Sequence, residues 1–480
     1  MAYNSLTQFV QTLEREGELR RITYPVRAEL EITEIADRVM KSEGPALLFE
    51  SVVDKKIPLL INAFGSTRRM ALALGVSDVV EIASEVEKLV QIKPPKLFKE
   101  KLKLLSELIR LAGIPPKVVK EGACQELVFR DPDLNILPVL TCWPGDGGPF
   151  ITLPTVFSKD PRKGTRNVGL YRMQVYDAKT TGMHWHLHKV GARHYQQQKA
   201  QRGRMELAVC LGGDPALIYA ATAPLPDQID EILFAGFLRK KGVELVKALT
   251  VDVEVPANSD IVIEGYVDPA ESLRREGPFG DHTGFYSLAD DYPVFHVTCL
   301  THKHEPIYPT TIVGRPPMED AYLGKATERI FLPLLKLTFP EIVDMNLPVQ
   351  GVFHNLAIIS IKKEYPAHGR KIMHALWGMG QMMFTKILMV VDHDVNVQDL
   401  SEVTWVMGNH IDPKRDVIFV EGPVDVLDHA APMTGFGSKM GIDGTRKWRS
   451  EGFERGWPDA IVMDDKTKKY IDSIWEKLGI

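Results

Sequence analysis

The sequence predicts a mixed α/β (α+β) chain in three parts, on three observations of pattern. Over residues 1–118, amphipathic helical spacing alternates with short apolar runs. From 119 to 318 the pattern turns β-rich, with β-branched alternation punctuated by Gly and Pro. From 319 to 480, strand and helix patterns alternate again. A chain of 480 residues suits this division, at roughly 150 residues per domain.

The first part opens on a helix. Ser5 and Gln8 resemble a capping box, Leu6, Phe9, Val10 and Leu13 form an apolar stripe, and Gly17 supplies a stop. A second helix fits Glu31 to Met40, and PALLFESV and IPLLINAF read as buried strands of a small α/β unit reaching about residue 92. In PPKLFKEKLKLLSELIRLAGIPPK (94–117), prolines bracket a basic amphipathic helix carrying Leu102, Leu105, Ile109 and Leu111. Interleaved glutamates favour an interdomain helix with a solvated lysine face. A peripheral membrane or substrate-tail contact is the alternative.

In the second part TVDVEV, DIVIEGYV, VFHVTCL and PIYPTTIVG read as strands of a barrel or sandwich. The third part begins with a helix (Ala321–Leu337). It continues as strand NLAIISI, helix GRKIMHALWGMGQMM, strand TKILMVV, helix DLSEVTWVMG and strand DVIFV, the pattern of an α/β layer on a parallel sheet. A last helix, KYIDSIWEKLGI, carries exposed charge and is expected to dock on a neighbour.

Composition excludes several classes. Hydrophobic residues make up 44% and charged residues 25%, as in ordinary globular chains, and the net charge of −5 gives no basic field for nucleic acid. No apolar run approaches the about 18 residues of a membrane span. The start, MAYNSLTQFVQ, lacks the basic and apolar regions of a signal peptide. Four scattered cysteines without CxxC fit a reducing cytoplasm and give no thiolate metal cluster.

One stretch concentrates functional residue types: NVGLYRMQVYDAKTTGMHWHLHKVGARHY, Asn167 to Tyr195. His184, His186 and His188 share a face if the segment is a strand. A three-histidine zinc site and a single-histidine contribution to an oxygen-rich site both fit that spacing. Arg172 offers a planar fork for a carboxylate or phosphate, against the alternative of a surface ion pair. In a flat strand Asn167 and Arg172 fall on opposite faces, and Gly169 permits a bulge that re-aims one of them.

A second constellation is REGPFGDHTG (275–284). Glu276 and Asp281 flank a tight Gly-Pro-Phe-Gly turn. With an arginine between them, such a pair can split roles, one acid protonated and one ionised. The alternative is a hairpin loop with solvated acids. Weaker candidates are GGDPA (212–216), GFGSKMG (435–441) with Lys439 as a phosphate partner, and Asp392 and Asp394 after a strand. The Met-rich GMGQMM reads as packing.

Together, NVGLYRMQ, GMHWHLHK, DEILFAGFLRKKGVELVK, EGPFGDHTGFYS, GRPPMED and GSKMGIDGTRKW resemble the UbiD family of reversible decarboxylases, in the family's order and over nearly the whole chain. TCWPGDGGPFITLP and YLGKATERIFLPLL look closest to members assigned to menaquinone biosynthesis, with the 4-hydroxy-3-polyprenylbenzoate decarboxylases of ubiquinone biosynthesis as near neighbours. The resemblance implies an N-terminal α/β segment, a split β-barrel flavin-binding domain and a C-terminal α/β oligomerisation domain. It implies prenylated FMN made by a partner flavin prenyltransferase, a divalent metal (usually Mn2+), often K+, and a homo-oligomer, dimer or hexamer. By the same resemblance Asn167, His188 and Glu231 bind the metal. Leu170, Tyr171, Arg172, His184, Trp185, His186, Lys189 and Val190 lie against the cofactor. Arg172, Glu276 and Asp281 form the catalytic network.

The chemistry is consistent with that resemblance. Loss of CO2 from an aromatic acid leaves an aryl carbanion, and side chains supply no electron sink for it. Arg172, helped by Glu276, is expected to orient the carboxylate. Asp281, held protonated by an apolar pocket and by Glu276, is expected to deliver a proton. A zinc hydrolase on the histidine face and a non-enzymatic flavin carrier are the rivals; the carrier leaves the Arg172–Glu276–Asp281 trio without a purpose.

Overall fold

Ser5 caps the first helix, Leu6–Arg15, its Oγ accepting the Gln8 N–H at 3.2 Å. Gln8 returns its Oε1 to the Asn4 N–H, so the reciprocal bond falls one residue before the cap. Leu6, Phe9, Val10 and Leu13 are buried, each contributing about 1.5–3 kcal/mol of apolar burial. The structure, a computed structural model, describes residues 2–90, 114–185, 190–226 and 229–479. The basic helix expected within 94–117 lies almost wholly outside the described residues.

The second helix is Glu31–Lys41, and the two apolar runs form the fully buried strands Ala46–Phe49 and Leu59–Ile61. They belong to a four-stranded sheet in the order Leu19–Ile22, Ala46–Phe49, Leu59–Ile61, Tyr308–Pro309. The last of these strands comes from far along the chain and runs parallel to Leu59–Ile61. Asp214 adds a second tie. It accepts Arg239 Nε at 2.5 Å and the Tyr3 N–H at 3.1 Å, while Arg239 also reaches the Tyr3 carbonyl at 3.2 Å.

The β-rich part centres on a seven-stranded antiparallel sheet. Its path is Thr180–Gly182, Val294–His302, Ile261–Val267, Met205–Leu211, Thr155–Lys159 and Arg166–Leu170, with Leu127–Phe129 also paired to Val294–His302. The two end strands do not pair with each other among the described residues, so the sheet is open rather than a closed barrel. The core is continuous through it: Leu207, Val209 and Ile263 pack with Leu47, Phe49 and Leu59 of the first sheet.

The third part is a five-stranded sheet in the order Ile342–Asn346, Leu356–Ile361, Ile387–Asp392, Phe436–Asp443, Val417–Pro423. Only its three middle strands are parallel; both edges are antiparallel. DVIFV is therefore an antiparallel edge, and the Gly-rich GFGSKMG is part of an inner strand. Lys439 is buried there and donates to the Met383 carbonyl, which removes it as a phosphate ligand. Asp392 ends its strand and accepts the Arg446 N–H at 2.8 Å, and Asp394 pairs with Arg446, so both hold the turn after strand Phe436–Asp443. The final helix Asp465–Ile474 buries none of its residues within the chain. Among the described residues, no helix is long and apolar enough to cross a membrane. All four cysteines are free and buried.

Candidate active site

The site begins where two strands and one helix end meet. Thr155–Lys159 pairs with Arg166–Leu170 in unbroken register, placing Asn167 opposite Ser158. Asp230 caps the helix Glu231–Arg239 through the Ile232 N–H at 2.7 Å, and its other oxygen accepts Arg166 at 2.8 Å. That double use pins the helix start to the strand. Glu231 Oε2 then accepts the Val168 N–H at 3.1 Å, one residue from Asn167. Burial raises the Glu231 carboxyl to about 7, the two backbone hydrogen bonds opposing. Burial likewise raises the Tyr171 hydroxyl, against a hydrogen bond with the Asn167 side chain.

Gly169 is not a bulge, as the unbroken register shows. It is required because the Tyr171 ring folds back over it: a Cβ would lie 2.4 Å from the ring carbon Cζ. The strand ends at Leu170, so Arg172 lies in the two-residue connection to the next strand, Met173–Gln174, and not on the flat strand with Asn167. Trp185 is buried against Tyr171 and Tyr195. Val190 opens the helix Val190–Gln201. His184 lies beyond the strand Thr180–Gly182, so the expected histidine strand face does not form at its first member. His186, His188 and Lys189 lie outside the described residues.

Arg172 is the arginine between the two carboxylates. Its Nε and NH2 donate to Glu276 Oε1 at 3.3 and 3.2 Å, and its NH1 donates to Asp281 Oδ2 at 2.5 Å. NH2 also reaches Ser287 Oγ at 3.2 Å, and the guanidinium lies 4.5 Å from the Phe279 ring centroid. Glu276 is 1% exposed, and its second oxygen is 2.6 Å from His184 Nδ1. The His184 ring packs on Tyr292 at 4.3 Å.

Two short ladders hold the acids. Arg274–Glu276 pairs with Asp290–Tyr292, and Phe279–Gly280 pairs with Tyr286–Ser287. The chain reverses at Asp281–Phe285, not at Gly-Pro-Phe-Gly: the Asp281 N–H meets the Phe285 carbonyl at 3.0 Å and the Gly284 N–H meets the Asp281 carbonyl at 2.9 Å. Gly277, at φ +91°, joins the two ladders through a cis peptide to Pro278. Gln174 clamps that joint, donating to the Gly147 carbonyl at 2.7 Å and accepting the Gly277 N–H at 2.8 Å. Asp146 accepts the Gly280 N–H at 2.7 Å.

The electrostatics correct one expectation. Burial opposes ionisation of both acids, yet their partners outweigh it. The hydrogen bond with His184 and the Arg172 charge hold Glu276 below the ordinary range. His282 and Arg172 hold Asp281 well below it. Both are carboxylates here, and Asp281 is paired rather than held protonated by an apolar pocket. Burial lowers the His184 pKa, opposed by Glu276, so this imidazole is neutral near pH 7. The structure thus joins Arg172, Glu276, Asp281 and His184, and separately Asn167, Tyr171 and Glu231. The sequence reading missed Ser287, Tyr292, Gln174, Asp146 and His282. His282 carried the signal of its adjacency to Asp281, and Gln174, Asp146 and Ser287 stand inside NVGLYRMQ, TCWPGDGGPFITLP and EGPFGDHTGFYS; Tyr292 carried none.

The donor set suits a cation and an anionic group. Among the described residues, Arg166 Nε and Trp185 Nε1 are buried with no hydrogen-bond partner. An amide oxygen and a carboxylate next to each other suit a hard divalent ion such as Mn2+. No group of three or more His, Cys, Asp or Glu side chains able to hold a metal forms among the described residues.

Three family profiles match the chain: the 3-octaprenyl-4-hydroxybenzoate carboxy-lyase N-terminal domain over 10–89, its Rift-related domain over 117–316 and its C-terminal domain over 321–444. An uncharacterized protein of Aquifex aeolicus is 52% identical over 100% of this chain and 99% of that protein. Vanillic acid decarboxylase of Sedimentibacter hydroxybenzoicus in its closed form is 28% identical with a TM-score of 0.85, covering 100% of this chain and 99% of that one. The UbiD-class enzyme HmfF of Pelotomaculum thermopropionicum, in complex with FMN, is 30% identical with a TM-score of 0.78, covering 95% of this chain and 97% of that one.

Proposed function

The chain belongs to the UbiD family, and on that premise we propose that it is a reversible, non-oxidative decarboxylase of an aromatic carboxylic acid that uses prenylated FMN. The observation that carries the reading is Arg172 held between two buried carboxylates, Glu276 and Asp281. Holding a flavin phosphate needs no such trio, and neither does hydrolysis at a metal. HmfF structures hold FMN and, in an evolved dimeric form, prFMN, which supports the cofactor.

Asn167 and Glu231, with His188, would hold a divalent ion, whose charge would offset that of the cofactor phosphate. Trp185, Tyr171 and Leu170 would flank the cofactor. When bound, the prenylated flavin supplies the electron sink that an aryl carbanion lacks. Arg172 presents a planar fork to the substrate carboxylate, and Glu276 fixes that fork while neutralising its charge. The carboxylate leaves as CO2, and one proton must be added at the carbon it leaves. Asp281, on Arg172 NH1, is placed to carry that proton once substrate has taken its share of the guanidinium.

The substrate we favour is a quinone-precursor acid of menaquinone biosynthesis. The family profiles carry the name of a polyprenyl-hydroxybenzoate carboxy-lyase, which supports the ubiquinone precursor as the second reading. We further propose divisions at 1–118, 119–318 and 319–480 and assembly through the third part, whose terminal helix buries nothing within its own chain. The test is protein co-expressed with a flavin prenyltransferase and purified without oxygen. Bound prenylated flavin with manganese, and CO2 release from a quinone-precursor acid, are expected. Zinc without flavin, with hydrolytic activity, would overturn the reading.

A further inference from the structure

Decarboxylation consumes one proton per turnover, and Asp281 sits in a buried pair. Its proton must be restored after each turnover. Its second oxygen shows from where: Oδ1 accepts the His282 backbone N–H at 2.8 Å and lies 2.9 Å from His282 Nδ1. The other nitrogen of the same ring, Nε2, lies 2.8 Å from Nε2 of His354, from the loop before the strand Leu356–Ile361. Phe353 stacks on His282 at 5.5 Å, and Phe285 packs on His429 at 4.1 Å, so the catalytic turn is seated on the third part of the chain at two places.

We infer that His282 is the proton reservoir for Asp281 and that His354 is the positioning residue that holds this reservoir in place. The inference rests on Asp281 being the proton donor. In the ledger, the imidazolium of His282 gives its Nδ1 proton to Asp281 Oδ1, leaving a neutral ring protonated on Nε2 and a carboxylic acid. The acid then protonates carbon and returns to carboxylate, and His282 Nδ1 takes up a proton from solvent. Throughout, Nε2–H donates to His354, whose own proton therefore sits on Nδ1. That nitrogen is buried with no hydrogen-bond partner among the described residues.

The surrounding charges agree with this assignment. Burial disfavours the His282 cation, but Asp281, with Asp320 and Asp425 beyond it, raises its pKa above the ordinary value. His354 is lowered to about 4, by burial and by the His282 charge, against Asp425, Asp281 and Asp428. Asp428 is itself paired with Lys386 at 2.8 Å. Burial raises Asp320 to about 7, the His282 charge opposing. A raised histidine is charged below its folded pKa and loses that charge as pH rises through it. The reservoir is therefore full below the folded pKa and empties as pH rises through it, at a higher pH than for an ordinary histidine.

Two measurements separate failure of this relay from failure of the decarboxylase reading. The first uses the full chain without cofactor, labelled with 15N-histidine and assigned with His282→Asn and His354→Phe. His282 is expected to be protonated on both nitrogens at neutral pH and His354 on Nδ1 alone, with His354→Phe moving the His282 midpoint by about half a unit or more. A neutral His282, or an unmoved midpoint, overturns the relay whatever the enzyme does. The second uses cofactor-loaded enzyme with an acid it accepts. Exchange of the substrate carboxylate with 13C-bicarbonate needs no proton from Asp281, whereas product release does. His354→Phe is expected to slow product release about tenfold or more while exchange stays within about twofold, and His354→Gln, which still accepts from His282, is expected to recover part of the loss. Equal slowing of both rates overturns the relay. If wild-type protein neither exchanges nor releases CO2 from any acid, the decarboxylase reading falls, and with it the relay that rests on it.

Discussion

Replacing Glu276 by glutamine isolates the charge of one carboxylate while keeping its shape. Glu276 accepts three hydrogen bonds, two from Arg172 on one oxygen and one at His184 on the other. A hydrogen bond to a charged group contributes about 1.5–3 kcal/mol, and the Arg172 pair, at 3.2–3.3 Å, belongs at the low end. A glutamine carbonyl still accepts both Arg172 bonds, now as a neutral group, and His184 can switch tautomer to accept from the amide. Arg172 also keeps Asp281, so it is not left as an unpaired buried charge. The net loss is then about 2–3 kcal/mol, or roughly 30- to 150-fold in kcat/KM at 1.36 kcal/mol per decade. Steady-state CO2 release by cofactor-loaded enzyme measures it, with thermal unfolding run alongside. A variant within about twofold of wild type in kcat/KM, at unchanged Tm, would refute the reasoning that Glu276 sets the charge and aim of Arg172.

Asp281→Asn is expected to lower turnover by about 10²- to 10⁴-fold while the bound flavin absorbance is kept, since the cofactor-side residues are elsewhere; loss of flavin instead would sink the donor role. Asp214→Ala removes the Arg239 pair, the Tyr3 bond and the helix cap at Ala216 together, and is expected to cost about 3–5 kcal/mol in denaturant unfolding. A change under about 1 kcal/mol would show that the N-terminal tie is not structural. Glu341→Gln tests acid stability. Burial opposes ionisation of Glu341, but Lys371, a backbone N–H and His368 lower it to about 2 from 4.5. A depressed carboxyl stabilises above its unfolded pKa and loses that contribution as pH falls through the folded one. The variant should be about 1–2 kcal/mol less stable at neutral pH, after allowance for screening at the half-exposed Lys371, with the gap closing as pH falls from 4.5 toward 2.

Local signals were readable in the sequence wherever the deciding forces are local. The Ser5 cap, the stripe Leu6–Phe9–Val10–Leu13 and the buried runs at 46–49 and 59–61 each report their own periodicity. The Glu276–Asp281 pair was visible because its members share one short segment. Gly169 was misread because a glycine in a strand signals close approach without saying of what; here it is the ring two residues on. GFGSKMG stood out as a Gly-rich phosphate candidate because its glycines lower β propensity, and only the neighbouring strands Ile387–Asp392 and Val417–Pro423 make it a strand. The ionised state of Asp281 depends on the adjacent His282 and on Arg172, 109 residues away, and His354 has no signature at all, since its partner lies 72 residues earlier.

The strand Tyr308–Pro309 has a consequence for the order of events in synthesis. The first sheet lacks one of its four strands until residue 309 has left the ribosome, and Glu319, which accepts the Phe64 N–H at 2.6 Å, comes later still. Residues 59–64 are thus locked only by segments made some 250 residues later. The nascent chain must carry the edge of Leu59–Ile61 unpaired through some 250 residues of translation, at about 5–20 residues per second. That interval of tens of seconds is when a holdase or a neighbouring nascent chain has access to this edge, and a chain truncated before Tyr308 would keep it open permanently.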